Sequence, residues 1–233
     1  MAKNIHPVIQ LQGKLGGLVF VNSKAYAPHV RMPRGSKKKA GINPSLAGNV
    51  RKLKIINRAA RQVHDLVKVF AADFKEKRLW QKIVGRMFPG KSNKFIDLLS
   101  NLEGLELNAA YPLERFGGLP ALNIENAKQK LVVHLKSAAP PFLSKPNDCY
   151  QYILTCLFFP YNTMESGYIT AATGWLNGQV QAGEQVFQFV KPPKARYYLL
   201  CLGLECGKNQ TATDTLAAKG MLFIKADTLK IKG

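Results

Sequence analysis

Arg31, Arg34, Lys37, Lys38 and Lys39 crowd into one short stretch, and Arg51, Lys52, Lys54, Arg58 and Arg61 follow at close intervals. Side chains of this kind, grouped this way, suit neutralisation of phosphates, which needs positive charge at short range and no fixed spacing. Asp65 is the first carboxylate of the chain, and 13 Lys and Arg precede it. Residues 1–97 hold 21 basic and 4 acidic side chains, a net of +17, whereas residues 98–233 hold 13 and 10, a net of +3. Self-repulsion that the segment cannot relieve internally predicts a polyanion partner for the N-terminal part. Nucleic acid, DNA or RNA, is the expected partner, and charge alone also admits an anionic membrane or an acidic protein surface. Tyr26, His29 and Trp80 are candidates to add stacking. No RNP pattern, zinc finger or helix-turn-helix accompanies the charge, so little sequence preference is expected.

Catalytic and metal chemistry finds no comparable grouping. Cys149 and Cys156 are seven positions apart, and Cys201 and Cys206 five. Zinc knuckles close on about two to four intervening residues, and an odd separation along a strand sends two side chains to opposite faces. Four buried free thiols are therefore expected, with no metal. His6, His29, His64 and His134 are scattered, and His64 and His134 read as packing or surface residues. Glu103, Glu106, Glu114 and Glu125 come nearest to an acidic group but nominate no convergent pair. No GxSxG or SxxK frames a nucleophile. Gly13, Gly16 and Gly17 lack the spacing of a Walker or dinucleotide loop and read as a backbone turn before a strand. No catalytic residue, no cofactor and no enzymatic activity are expected.

The elements that must carry the basic residues follow from periodicity. Gly13–Val30 reads as a β-hairpin or a pair of extended segments, with Leu15, Leu18, Val19, Phe20 and Val21 as apolar strand residues and a polar turn over Val21–Ala25. The Arg31–Gly41 stretch, with a proline and two glycines, reads as an exposed loop. Asn43-Pro44 is a favourable helix start. From Leu46, apolar residues at Val50, Leu53, Ile56, Ala60, Val63, Val67 and Phe70 step by three and four, predicting one long helix with its basic residues largely off the apolar stripe. A second helix is predicted over Asp73–Phe88, stopped by Pro89-Gly90, and a third over Ser92–Leu102 with Ser92 as cap. Beyond Gly104 the texture is β, with predicted strands Leu131–Lys136, Tyr150–Phe159, Tyr168–Thr173, Gln185–Lys191, Arg196–Leu204 and Met221–Lys225, and a further one over Thr228–Lys232.

These elements predict an α+β fold: a basic hairpin, loop and helical region over residues 1–104, then an antiparallel β-sandwich or barrel-like unit over 105–233. With 46% hydrophobic residues in 233, the chain can bury a substantial core. No apolar run is long enough for a transmembrane helix, and the opening residues are too broken by polar positions for a secretory signal. A cytoplasmic location is expected, with a virion as the alternative.

Gly13-Lys14-Leu15-Gly16-Gly17-Leu18-Val19-Phe20, then Tyr26, Val30-Arg31 and the helix start Asn43-Pro44-Ser45, resemble a family of uncharacterised bacterial proteins. That family opens with a GK-(I/L/V)-G-x-x-V hairpin, passes through a short basic loop into a long helix, and continues into a β-rich half. The resemblance runs from the N-terminus to about Phe70, and this chain departs from it in the Lys37–Lys39 run and in lacking a Gln-rich helix start. It implies a bacterial or phage origin and a non-enzymatic role, and it carries over no binding or catalytic residue. Two functions stay open. One is a nucleic-acid-binding protein acting through Arg31, Arg34, Lys37, Lys38, Lys39, Arg51, Lys52, Lys54, Arg58 and Arg61. The other is an assembly subunit of a virion or injection apparatus, whose basic arm docks a neighbour or a second copy of the chain.

Overall fold

The structure, a computed structural model, describes residues 2–3, 12–23, 26–33, 46–74, 78–90, 92–116, 119–137, 139–160, 166–179 and 183–230. Arg34, Lys37, Lys38 and Lys39 lie outside the described residues. The chain forms two compact units, Met1–Arg51 and Lys52–Gly233.

In the first unit, strands β1 (Ala2–Lys3), β2 (Gly13–Leu15), β3 (Leu18–Ser23) and β4 (Tyr26–Arg31) make an antiparallel sheet in the order β1-β4-β3-β2. The pair Leu15↔Leu18 closes a two-residue loop of Gly16-Gly17. Gly16 takes φ +57° there, a value that glycine reaches without steric cost. The glycine-rich opening is thus a hairpin turn, as expected. The same unit contains the start of helix α1 (Ala47–Phe70).

The rest of α1 belongs to the second unit, with helices α2 (Leu79–Met87), α3 (Phe95–Ser100) and α4 (Leu113–Phe116). The predicted second helix is shorter than expected: a single 3-10 turn covers Ala72–Phe74, residues 75–77 lie outside the described ones, and α2 begins at Leu79. Ser92 does not cap α3, since the N-cap position is Lys94; the Ser92 Oγ instead accepts a bond from the Lys94 N–H at 3.1 Å.

Two open antiparallel sheets follow. The small one is formed by β5 (Ala121–Asn126), β6 (Lys130–Lys136) and β10 (Gln185–Val190), with β6 in the middle. The large one centres on β7 (Cys149–Pro160) and β11 (Ala195–Lys208). Strands β8 (Gly167–Ala172) and β9 (Leu176–Asn177) share the outer edge of β7, while β12 (Thr211–Ala212) and β13 (Lys219–Thr228) share that of β11. The predicted sandwich is present, and β13 absorbs the expected Met221–Lys225 strand. Thr228 ends β13 rather than opening a further strand, and residues 231–233 lie outside the described ones.

Alternation along β7 and β11 feeds two cores. Tyr150, Tyr152, Leu154, Cys156 and Phe158 of β7, with Tyr198, Leu200, Leu202, Leu204 and Cys206 of β11, face the small sheet and pack with Leu131, Val133, Phe187 and Phe189. Leu157, Phe159, Leu199 and Cys201 face the other way, onto Ile56, Ala60 and Val63 of α1, Ile83 and Met87 of α2, and Leu98 and Leu99 of α3. The second unit is therefore three layers: helices, large sheet, small sheet. Its helices and the β7–β11–β13 sheet share one core, so compactness divides the chain at 51/52. The expected boundary at 104/105 marks a change of secondary structure and not of core.

In β13 one extra residue, Ile224, separates Phe223 (opposite Cys201) from Lys225 (opposite Leu200). This bulge inverts the alternation, so Phe223 and Ala226 both reach the helical layer while Ile224 packs with the sandwich core. The cysteines are unpaired and buried, with Cys156 and Cys206 in one core and Cys201 in the other, as strand parity requires.

Two outcomes follow from this layering. Phe223→Ala should cost about 3–5 kcal/mol because its ring is wholly buried beneath the helices. Val186→Ala, on the exposed side of β10, should stay within about 0.5 kcal/mol. Urea unfolding of the two variants beside the wild type measures both. The second outcome concerns alkaline pH. Burial raises the Cys206 thiol from near 9 to about 11, against a lowering by its bond to Tyr111, and burial also holds Cys156 and Cys201 well up. The unfolded chain releases these protons first, so the contribution is whole below about pH 8.5 and is lost as pH rises through 9 to 11. The urea midpoint should fall across that window, and by less in Cys206→Ala; equal falls in both would contradict it.

Candidate nucleic-acid interface

Helix α1 has an apolar side and a basic side. At about 3.6 residues per turn, Ile56, Ala60, Val63 and Val67 form one stripe and are buried. Lys54, Arg58, Arg61 and Lys68 fall on the opposite side and are exposed. At about 1.5 Å per residue, the row from Lys54 to Lys68 is about 21 Å long, the rise of roughly six nucleotides at about 3.4 Å each. Asp65 stands in the same row, with its Oδ1 3.4 Å from Nδ1 of His64. Four cations and one carboxylate leave the row at a formal +3.

Lys52 departs from the expected surface. Its position on the helix flanks the buried stripe, and its Nζ donates to the Gly90 carbonyl at 2.6 Å while lying 5.0 Å from the centre of the Phe88 ring. The ammonium thereby satisfies a carbonyl just beyond the C-terminus of α2, where a cation is favoured. It is a clamp between α1 and α2. In the first unit, Arg51 is exposed on α1, and Arg31 is half-buried at the end of β4, opposite Val19. Trp80 is also not an open stacking surface: it is half-buried, edge-on to His64 at 5.4 Å.

Beside Arg58 runs a groove of about 570 Å³, lined by Ile55, Arg58, Gln62, Lys94, Phe95 and Tyr197 among others. Phe95 sits 5.5 Å from Tyr197 and 5.4 Å from Phe159, so its ring is fixed between the helical layer and the sheet. Two cations, two half-buried aromatic rings and the amides of Gln62 and Asn93 thus meet in one groove. Sequence reasoning missed Lys94, Phe95 and Tyr197. The only local signal was the Lys91-Ser92-Asn93-Lys94 run at a helix start, and nothing local pairs it with residue 197.

The remaining polar candidates make contacts within the fold, although Glu106 Oε2 and His134 Nε2 have no hydrogen-bond partner among the described residues. Glu106 Oε1 accepts the Glu114 N–H at 3.1 Å, and burial raises its carboxyl pKa. Glu103 Oε1 accepts the Ala226 N–H at 2.9 Å and lies 3.6 Å from Lys225. His134, on β6, has Nδ1 2.8 Å from Glu184 and Nε2 3.6 Å from Glu125. These contacts tie strands and turns together. No helix among the described residues is long and apolar enough to cross a membrane.

Set against protein-family models, curated proteins and solved structures, the chain matches none of them.

Proposed function

We infer that the protein binds nucleic acid through its phosphates, with little sequence preference, using the Arg31–Lys39 segment and the exposed side of α1. The observation that carries this reading is the row Lys54, Arg58, Arg61 and Lys68, four exposed cations on one helix side. The cations of such a row displace counterions condensed on the phosphates, and the release of those counterions supplies the free energy. The Arg58–Lys94 groove, with Phe95 and Tyr197 in it, suits an unstacked base beside its phosphate, which favours single strands over duplex.

Neutralising about five or six phosphates should give log K a slope of about −4.5 to −5.5 against log salt on duplex DNA. Lys37, Lys38 and Lys39 changed together to Gln should flatten that slope by up to about 2–3. Lys54, Arg58 and Arg61 changed together to Gln should do the same, and both triple variants should keep the wild-type urea midpoint, since the altered α1 residues are exposed. Fluorescence anisotropy with labelled DNA and RNA over a salt series reads these slopes. No wild-type binding near 50 mM salt, or equal slopes in all three proteins, would overturn the reading. A defined oligomer by light scattering would then support the assembly-subunit function.

A further inference from the structure

At one end of the sandwich, away from the α1 row in sequence, a cleft of about 740 Å³ opens between three segments: 141–149, 175–179 and the turn at 209–210. Asp148 ties these together. Its N–H donates to the Gly207 carbonyl at 2.9 Å, its carbonyl accepts the Gly178 N–H at 2.8 Å, and its Oδ1 accepts the Asn209 N–H at 3.0 Å. Asn147 makes a similar node, donating to the Ser144 carbonyl at 2.8 Å and accepting from Thr213 Oγ1 at 2.6 Å. The walls close in because two positions lack side chains. A Cβ on Gly207 would stand 2.6 Å from the Trp175 ring, and one on Gly178 would stand 2.1 Å from Leu143. The cleft is therefore preformed, which spares a ligand the cost of ordering it.

Its chemistry is unlike the rest of the molecule. In a chain with 34 Lys and Arg, no basic side chain is among the described residues lining the cleft, and one carboxylate, Asp148, is. Phosphate and other anions are therefore poor occupants. Trp175 and the exposed ring of Phe142 supply aromatic surface. Asn177, Gln179, Asn209 and Gln210 supply planar amides, and the side chains of the last three have no hydrogen-bond partner among the described residues. Asn209 and Gln210 also hold left-handed backbone, at φ +51° and +61°. Asparagine tolerates left-handed backbone well, whereas at Gln210 glycine would be free of strain, so the turn keeps its second amide at the rim against backbone preference. Aromatic faces with flanking amides and a carboxylate match a ligand that has C–H faces and hydroxyl edges and no charge.

We propose that this cleft binds a neutral sugar, its C–H face against Trp175 and its hydroxyls held by Asp148 and the Asn209–Gln210 amides. The site is separate from the phosphate-binding residues and does not depend on them. The labelled full chain, applied to an array of neutral and anionic glycans in 0.5 M salt, should bind a subset of neutral ones. Titration with the best neutral oligosaccharide should show affinity at least tenfold weaker in Trp175→Ala and Asp148→Asn. The double variant Asn209→Gly, Gln210→Gly removes the amides and relieves the backbone. It should bind at least threefold more weakly while its urea midpoint holds or rises, which separates lost contacts from lost folding. Three results would overturn the proposal: no glycan bound, only anionic glycans bound, or a neutral glycan bound equally by the wild type and the double-glycine variant.

Discussion

Twelve registered pairs between β7 and β11, from Ala195↔Pro160 to Gly207↔Cys149, form the ladder on which the second unit depends. Both strands are covered on both faces, so alternate buried residues go to different partners: along β7, and along β11 from Tyr197 on, even positions face the small sheet and odd ones the helices. A strand in that position cannot alternate polar and apolar residues, and Tyr198 to Leu204 reads as one apolar run. Each core is completed by elements that bury little alone. The helices offer one stripe each, and the small sheet has an exposed outer side carrying Val186, Gln188 and Val190. Displacing the ladder would open both cores together, whereas loss of either covering layer would leave one face intact.

Several of the few carboxylates are engaged within the fold. Glu103 and Glu106 accept backbone N–H groups, and Glu205 accepts from Gln151 at 2.7 Å while lying 3.4 Å from Lys219. Asp73 and Asp214 lie 3.7 Å and 3.3 Å from that same lysine, so three acids gather around one ammonium. With 14 acids against 34 bases, three of the acids thus stand at a single lysine. The same scarcity makes Asp148 conspicuous in a cleft whose described lining has no lysine or arginine. Charge thus separates two surfaces of different chemistry in one chain.

Much of the secondary structure was legible because periodicity reports burial directly. The step of three and four from Leu46 marked α1 to within a residue or so, and the apolar runs marked β6, β7, β8, β10, β11 and β13. β5 was not legible: Ala121-Leu122-Asn123-Ile124-Glu125-Asn126 contains two asparagines and a glutamate, poor strand formers, and it is extended because β6 pairs along its whole length. The contact of Lys52 was not legible for a related reason. Composition placed it with its basic neighbours, but one or two positions around a helix separate a solvated ammonium from one bonded to Gly90.

The sequence by itself determined the α+β class, the long amphipathic helix, the Gly16-Gly17 turn, the opposed faces of Cys201 and Cys206 and the asymmetry of charge. Each is a property of near neighbours along the chain, where covalent geometry and side-chain alternation leave little choice. Only the tertiary structure decided that α1, α2 and α3 cover the large sheet, that Ile224 bulges so Ala226 reaches the helical layer, and that Arg58 shares a groove with Tyr197. It alone decided, too, that Asp148, Trp175 and Gln210 line one cleft. These depend on which apolar faces find each other between segments far apart in sequence, and burial free energy is non-directional: it demands a partner for every apolar face without naming which.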